Sequence, residues 1–417
     1  MNFDDTPEEA AFRAEARAWI DANAPTYLYP ILSGSGFGTS PDIADFDMLA
    51  EAKKWQKAKR DAGWACLHWP KKYGGRGATP MQRVIWNQEE GVYAQLSFTF
   101  IIGQGMCGPT VMAWGNEEDK QRLLPPLAAG EDIWCQMFSE PAAGSDLAGL
   151  RTRAVQEESS GDWIVNGSKI WTSGAHISQY GILLTRTDPG VAKHKGLTMF
   201  WVDMRSPGIE VRPILQAHGQ SGFNEVFFTD LRIPDRQRLG AVGNGWNVSL
   251  TTLMNERLSI GSGMSTGFEP LLDYAIRAPG HDGGRLVDDP AIRSKLADWA
   301  TKASGLKYTA MRSLTALSKG EQPGPENSIG KLVAGTTMQE IAMFAIDQQG
   351  EAGVLTDATR AAAAARFQAM LMRSPATRIE GGTDEILRNI IAERVLGLPG
   401  DVRVDKDVPF EKIPTRA

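Results

Sequence analysis

The chain begins with apolar residues at the spacing of an amphipathic helix. Thr6, Pro7 and Glu9 have the arrangement of an N-terminal capping box with proline at the first helical position. Apolar side chains then recur at helical intervals, at Phe12, Ala16, Trp19 and Ile20. Asn23-Ala24-Pro25 should end this helix.

The same kind of pattern continues to residue 131 and predicts a helical N-terminal domain. The predicted elements are a helix through Trp55 that ends at Gly63, a helix capped by Thr79-Pro80, an apolar stretch over 97–106 that should be buried, and a helix from Asn116 to Pro125.

At Trp134 the pattern changes to short runs separated by turn residues, which indicates a small β domain. Strands are predicted near residues 134, 163 and 168, and over 180–186, 197–203, 209–214 and 225–228. Asn166-Gly167 lies between two alternating runs, and this dipeptide is the strongest short-range signal for a hairpin turn. We therefore expect a β-hairpin centred on these two residues.

Helical periodicity returns at Gly245-Trp246. Asp289-Pro290 should open a long helix that ends near Gly320, and further helices are predicted over 328–349, 356–372 and 383–396. The charged, aperiodic residues 401–417 are assigned no structure. The pattern predicts an α+β protein in four parts: a helical domain over 1–131, a β domain over 132–242, a helical domain over 243–399 and a tail over 400–417.

Composition and charge narrow the function classes. The chain has 417 residues, of which 42% are hydrophobic, and a formal charge of -6, which argues against a nucleic-acid-binding surface. It contains no run of about 20 apolar residues that could span a bilayer, and its histidines show no metal-ligand spacing. Cys66, Cys107 and Cys135 lack C-x-x-C spacing and should be reduced core residues. The acidic N-terminus lacks a signal-peptide pattern, so a cytoplasmic, bacterial enzyme is the simplest interpretation.

Two stretches offer candidate chemistry. From Trp134 to Asp146 a short apolar strand leads into small polar residues, with Phe138 as an apolar wall and Ser139 as a hydroxyl. A later strand brings Trp171 and Ser173 to its end. An indole and hydroxyls beside the first stretch could pack a flavin ring and bond its edge. Taken alone, the first stretch is more typical of a plain strand followed by a turn.

Together with Ile379-Glu-Gly-Gly-Thr-Asp-Glu-Ile386, these segments resemble the acyl-CoA dehydrogenase family over nearly the whole chain. The resemblance implies an acyl-CoA dehydrogenase-like fold, in which the middle domain is barrel-like and the C-terminal domain is a four-helix bundle. It also implies FAD as cofactor and an acyl-CoA as substrate. The implied reaction forms an α,β double bond: a carboxylate base takes the α-proton, the β-hydrogen leaves as hydride to flavin N5, and electron-transfer flavoprotein receives the electrons.

Two glutamates compete for the role of this base. One branch of the family uses the Glu of a C-terminal Glu-Gly-Thr, but counting back from Thr383 puts Gly381, not Glu380, at that position. Another branch uses the Glu of a Glu-Arg-Leu segment on a helix of the C-terminal domain, and here Glu256 begins such a segment. The helical neighbours of this residue are small or apolar, an environment that raises a carboxyl pKa: Thr252, Leu253, Ser259 and Ile260. We predict Glu256 as the base and keep Glu380 as the alternative.

The resemblance assigns three residues to the substrate. The Gly381 amide, with a flavin ribityl hydroxyl, should hold the thioester carbonyl as an oxyanion-type pair. Ser145 should contact the pantetheine or phosphate region of CoA, and Arg257 could contact the same moiety.

The resemblance assigns five residues to the cofactor. Phe138, Ser139, Trp171 and Ser173 should contact the flavin ring, and Thr383 should contact FAD near the start of the last helix. Thr383 is equally explained as a helix cap and Trp171 as a core residue of the β domain, so both alternatives stay open.

The resemblance also implies oligomerisation, as a homodimer or a homotetramer. Many members carry an Arg-x-x-Phe-Gly segment that reaches FAD across a dimer, and this chain reads differently from Arg277 to Arg285. The same departure occurs in members that oxidise bulky acyl groups, including steroid side chains, some of which assemble from two unlike subunits. A heterotetramer is therefore an alternative. Two other functions also stay open: an acyl-CoA oxidase-like enzyme that uses oxygen, and a non-catalytic flavin-binding subunit. No nucleic acid, membrane or metal is expected to bind.

Overall fold

The N-terminal helices begin at polar caps. The computed structural model describes residues 4–34, 47–260, 266–280, 283–319, 324–400, 402 and 405–414. At Thr6 the hydroxyl accepts a hydrogen bond from the Glu9 amide, and the Glu9 carboxylate accepts one from the Thr6 amide. Thr79 and Gln82 repeat this arrangement, so the capping box predicted at Thr6 and the helix start predicted at Thr79 are confirmed. The helices are α1 (Pro7–Asn23), α2 (Tyr29–Gly34), α3 (Met48–Asp61), α4 (Pro80–Glu90), α5 (Ala94–Ser97), α6 (Gly108–Trp114) and α7 (Glu117–Ala129).

The apolar stretch over 97–106 is buried only in part. It follows a 3-10 turn and then a π-helical turn before α6, and Phe98 is 58% exposed. Two glycines explain the irregular path, because a Cβ atom at Gly103 would lie 2.6 Å from Leu127 Cδ1. A Cβ atom at Gly108 would lie 2.2 Å from Trp69 Cζ2. Close packing against distant residues shapes this segment, and apolar content alone does not reveal it.

A buried carboxylate joins α3, α4 and α5. Glu90 is 4% exposed and accepts hydrogen bonds from the Trp55 and Trp86 indoles, the Ser97 hydroxyl and the Lys59 ammonium, at 2.8 to 3.1 Å. Burial raises the pKa of Glu90, but the charge of Lys59 and these hydrogen bonds lower it further, so its pKa lies below the ordinary value. Because Lys59 is itself 5% exposed, the two charges depend on each other.

The middle of the chain forms one mixed sheet. Its strands are β1 (Trp134–Met137), β2 (Arg153–Gln156), β3 (Trp163–Ser173), β4 (Tyr180–Arg186), β5 (Leu197–Asp203), β6 (Ile209–Ile214), β7 (Phe223–Ile233) and β8 (Arg238–Leu239). Within residues 134–239 their order is β6-β7-β3-β2-β4-β5-β8, and β1 pairs with β4 in parallel. The three strands predicted over 180–186, 197–203 and 209–214 are confirmed, whereas β2 and β8 were not predicted.

Both faces of the central strands are covered. Ile182 and Leu184 of β4 pack into a cluster with α6 and α7, while Leu183 between them packs into a second cluster with Phe200 of β5. Successive side chains of a strand point to opposite faces, so two packed faces give an almost continuous apolar run. This explains why β4 and β5 were predicted with correct ends.

The hairpin predicted at Asn166-Gly167 is wrong. β3 runs straight through these residues, and its pairing with β7 shifts register between Val165 and Gly167. The Asn166 amide group exchanges two 2.9 Å hydrogen bonds with Asp230, and Gly167 has a φ of 145°. A Cβ atom at Gly167 would lie 2.7 Å from the Thr152 Cα. The glycine therefore serves a β-bulge with close backbone approach instead of a turn.

The remaining helices are α8 (Gly245–Ile260), α9 (Phe268–Arg277), α10 (Pro290–Ser318), α11 (Ser328–Asp347), α12 (Arg366–Ile379) and α13 (Asp384–Arg394). The predicted start of α10 is confirmed. The helix predicted over 356–372 is wrong in its first part, because residues 358–365 form turns in which Ala363, Ala364 and Ala365 have positive φ. With the sheet between two sets of helices, the expected α+β class and domain order are confirmed.

The chain divides into two compact units. The first contains residues 1–32, 45–259 and 401–417, and the second contains residues 33–44 and 260–400. A separate core holds the second unit together, formed around Leu271, Trp299, Phe344 and Phe367. Among the described residues no single helix is long and apolar enough to cross a membrane, and only one bent pair, Pro80–Phe100 with Gly103–Trp114 at 76°, meets that criterion jointly.

The cysteines are unpaired thiols, as predicted. Cys107 and Cys135 are buried, and Cys66 is half-buried. Burial raises the pKa of Cys66 and Cys135 to about 12, so these two thiols stay protonated at neutral pH.

The tail is not without structure. Residues 405–414 pack on the β domain within the first unit, where the Phe410 amide donates to the Val191 carbonyl at 2.9 Å and the Glu411 amide to the Pro189 carbonyl at 3.0 Å. Phe410–Lys412 form a 3-10 turn. The expectation failed because backbone pairing and one aromatic ring hold this segment, and neither produces a periodic pattern.

Replacing Glu90 with Gln should destabilise the N-terminal helices by about 3 to 5 kcal/mol, since it leaves Lys59 buried without a counter-charge. Thermal unfolding followed by the fluorescence of Trp55 and Trp86 measures this. The control is Glu131→Gln, which removes an exposed ion pair with Arg60 and should change stability by less than about 1 kcal/mol. Equal effects of the two substitutions would contradict the prediction.

Candidate active site

The end of β1 lies against β3. The Ile170 amide donates to the Ser139 carbonyl at 2.9 Å, and the Lys169 ammonium donates to the Phe138 carbonyl at 2.9 Å. Phe138 is 4% exposed, whereas Ser139 is half-buried. The structure therefore brings together the two stretches that were predicted to form a flavin site.

A buried ion pair that was not predicted holds this arrangement. Lys169 is fully buried and donates to Glu140 at 2.8 Å, and the same carboxylate accepts the Arg151 and Thr152 amides at 2.6 and 2.9 Å. Burial lowers the pKa of Lys169 to about 8, against the charge of Glu140. Burial also raises the pKa of Glu140, but the Lys169 charge and the hydrogen bonds lower it further. The signal in the sequence was strand parity, since Lys169 follows Trp163 and Val165 on the inward face.

Trp171 is not a core residue, so that alternative is wrong. Its side chain is 55% exposed and its φ is 59°, within a register shift between Lys169 and Thr172. Bulges re-aim side chains next to functional sites, and positive φ is uncommon for a bulky residue. The Phe223 ring meets the indole edge-on, with centroids 6.0 Å apart. Trp171 therefore presents an apolar surface in the strand where the flavin site was predicted.

The next residues of β3 supply polar groups. Ser173 pairs with Phe223 of β7 and is half-buried. The Thr172 hydroxyl is buried and has no hydrogen-bond partner among the described residues. A buried polar group without a partner is costly, and a ligand edge would satisfy it. The apolar Phe138, the indole of Trp171 and these hydroxyls fit the apolar faces and polar edge of an isoalloxazine ring.

The predicted base lies beside the same strand. The Gln136 side chain of β1 donates to the Glu256 carboxylate at 3.3 Å. One turn earlier on α8, the Thr252 hydroxyl meets the Thr110 hydroxyl at 2.8 Å, which seats the helix against α6. The Gln136 carbonyl oxygen is buried without a partner among the described residues. Glu256 is thus linked to β1 two residues before Phe138. The side chain of Arg257 lies outside the described residues.

Ser145 lies in an exposed loop after β1. Its neighbour Asp146 accepts hydrogen bonds from Lys193 at 3.0 and 2.9 Å. Backbone geometry at Gly144 is open, since a Cβ atom there would have no neighbour within 4 Å. The loop is therefore accessible to a ligand, as predicted for the residue that contacts CoA.

The second unit carries the other predicted residues. Gly381 is exposed with a φ of 62°. The Thr383 hydroxyl accepts the Ile386 amide at 3.2 Å, so Thr383 is a helix cap for α13, as one of the two alternatives stated. Arg373 donates to both oxygens of Glu380 at 2.7 and 2.8 Å. This bidentate pair gives Glu380 a cationic partner.

Comparison with known proteins follows the same division of the chain. Family models described as the N-terminal, middle and C-terminal domains of acyl-CoA dehydrogenase match residues 6–131, 135–231 and 243–396. The chain is similar to Acyl-CoA dehydrogenase IpdE1 of Mycolicibacterium smegmatis, with 35% identity over 95% of this chain and 99% of that protein.

Two further similarities differ in extent. Acyl-CoA dehydrogenase FadE34 of Mycobacterium tuberculosis is 36% identical over 86% of this chain, which spans only 48% of that longer protein. A solved structure titled "Tcur3481-Tcur3483 steroid ACAD" is 26% identical with a TM-score of 0.78, and the match covers 96% of this chain and all of that one.

Replacing Lys169 with Met should both loosen the β domain and reduce flavin retention. The substitution leaves Glu140 buried without its cation, which costs about 3 to 5 kcal/mol, and it removes the donor to the Phe138 carbonyl. Thermal unfolding and the ratio of flavin to protein absorbance after gel filtration measure the two effects. Lys195→Met, at an exposed position of the same domain, is the matched control. A Lys169→Met protein with wild-type stability and flavin content would refute the role of the pair.

Proposed function

The chain belongs to the acyl-CoA dehydrogenase family, whose members are FAD-dependent oxidoreductases acting on CH–CH bonds, and we propose that it desaturates an acyl-CoA thioester at the α,β position. One observation carries the proposal: the hydrogen bond from Gln136 to Glu256. It links the predicted base to the strand that carries Phe138, the wall proposed for the cofactor.

Glu256 is the general base that takes the α-proton. The amide of Gln136 holds one carboxylate oxygen without bringing a positive charge, so the carboxylate keeps its capacity to accept a proton. Glu380 is a weaker candidate because the guanidinium of Arg373 holds both of its oxygens. A cation at this distance favours the ionised form and opposes protonation.

The other residues bind and orient. Phe138, Ser139, Trp171 and Ser173 form the ring site, and the amides at the start of α13 beside Thr383 suit the phosphates of the cofactor. FAD, when bound there, supplies N5 as the hydride acceptor.

The remaining assignments concern the thioester and its CoA moiety. The Gly381 amide donates to the thioester carbonyl and stabilises the charge that develops on it. Ser145 and Arg257 contact the CoA moiety. Each of these roles comes from the family motif, carried onto the matching position.

The finer assignments of partner and substrate are also ours. The electron acceptor is electron-transfer flavoprotein, and the compartment is the cytoplasm, consistent with three unpaired cysteines. The acyl group is bulky, in the class of steroid side chains, because a similar structure is titled a steroid enzyme. That title joins two names, and the segment from Arg277 to Arg285 departs from the usual cross-subunit motif, so we favour an assembly with a second, related subunit.

Replacing Glu256 with Gln should slow anaerobic bleaching of the flavin by about 10²- to 10⁴-fold, the range expected when a general base is removed. Bleaching is followed at the visible flavin band with straight, branched and steroid-side-chain acyl-CoAs, after flavin content has been matched. Glu380→Gln is the control and should bleach within a few-fold of wild type. Loss of bleaching in Glu380→Gln but not in Glu256→Gln would reverse the assignment. Rapid reoxidation of the bleached enzyme in air would favour an oxidase instead.

Replacing Gln136 with Leu should move the acidic limb of the pH dependence of kcat/KM toward higher pH. The ionised carboxylate of Glu256 loses a donor that favours it. The expected size is about 0.5 to 1 pH unit, equivalent to one hydrogen bond of about 1 kcal/mol. Gln104→Leu, which removes an amide that bonds the Leu127 carbonyl instead, is the control. Identical pH profiles for Gln136→Leu and wild type would contradict the contact.

A further inference from the structure

Residues 405–414, here called the C-terminal strap, lie beyond the family models, which end at residue 396. The strap packs on the loop between β4 and β5. Phe410 and Glu411 donate backbone hydrogen bonds to Val191 and Pro189, and Pro409 forms a bridge with Ala192. Backbone pairing of this kind fixes the register of the strap on the loop.

An aromatic contact ties the strap to the core of the β domain. The Arg186 guanidinium lies 3.5 Å from the centroid of the Phe410 ring. The same guanidinium donates to the carbonyls of Ala148 and Leu150, at 2.6 and 3.1 Å, and to that of Lys193 at 3.1 Å. Phe410 therefore covers the cation that holds the chain just after the Ser145 loop.

A charge cluster ties the strap directly to the Ser145 loop. The Lys193 ammonium, 11% exposed, donates to Asp146 at 2.9 Å and to Asp405 of the strap at 2.7 Å. Burial lowers the pKa of Lys193, but its hydrogen bonds to Asp405 and Asp146 raise it further, so the ammonium remains charged at neutral pH. One buried cation thus connects the strap with the residue adjacent to Ser145.

The Ser145 loop has few other supports. Pro141, Ala142, Gly144, Ser145 and Asp146 are all exposed. A loop with little buried surface opens easily unless side chains anchor it. Arg186 and Lys193 provide such anchors, and the strap contacts both.

We propose that the C-terminal strap is a positioning element of the acyl-CoA site, which holds the Ser145 loop through Asp405, Lys193 and Asp146 in the geometry that binds the CoA moiety. The inference rests on the proposed function, because Ser145 is assigned to CoA there. The strap touches no reacting atom, so it should affect binding of the CoA end and leave the chemical step unchanged.

The test compares Asp405→Asn with Asp407→Asn. Asp407 lies two residues away, is exposed and has no side-chain partner among the described residues. Asp405→Asn should raise the KM for the preferred acyl-CoA by about 3- to 5-fold with kcat unchanged, the size of a partly exposed ion pair. The KM for the same acyl group on N-acetylcysteamine, which lacks most of CoA, should not change. Asp407→Asn should match wild type with both substrates.

A second measurement does not depend on turnover. Hydrogen exchange of the amides over 141–149 should be faster in Asp405→Asn and in Phe410→Ala than in wild type, and unchanged in Asp407→Asn. Unchanged exchange in both strap variants overturns the proposal, as does an equal rise in KM for the long and the short thioester. If no acyl-CoA reduces the wild-type flavin, the proposed function itself fails. If wild type turns over and Asp405→Asn keeps the wild-type KM, the strap alone is refuted.

Discussion

The buried pair between Lys169 and Glu140 is the interaction on which the ring site depends. The lysine holds the Phe138 carbonyl and the glutamate holds the amides that follow the Ser145 loop. Two charges in an apolar interior are stable only while both are present and hydrogen-bonded. The pair therefore couples the end of β1, the start of β2 and the middle of β3 into one rigid wall. Flexible loops alone would not place an apolar face and hydroxyls with that accuracy.

The base depends on the same strand in a different way. Glu256 lies on α8, one turn after Thr252, and that threonine packs on α6 by a hydroxyl pair. Gln136 then reaches the carboxylate from β1. A helix position, a helix contact and a strand amide thus define where the carboxylate lies. A change in any of the three would move the proton acceptor relative to the wall at Phe138.

Local chemistry made much of the fold predictable from sequence. The caps at Thr6 and Thr79 act within four residues, and both were predicted with their helix starts. Asn166-Gly167 was misread because the residues that decide its conformation, Thr152 and Asp230, are distant in sequence. The strap was missed for the same reason. The site residues near β1 and β3 were predicted from motifs, whereas the ion pair that positions them was not.

Three glutamates show why residue type alone could not assign the roles. Glu140 is held by a buried lysine, Glu380 by a bidentate arginine, and Glu256 by the amide of Gln136, a residue 120 positions earlier. A carboxylate beside a cation keeps its charge and resists protonation, so it suits structure. A carboxylate that accepts from a neutral amide keeps more of its basicity, so it suits proton transfer. The partner therefore assigns the role, and only the folded chain brings that partner to each glutamate.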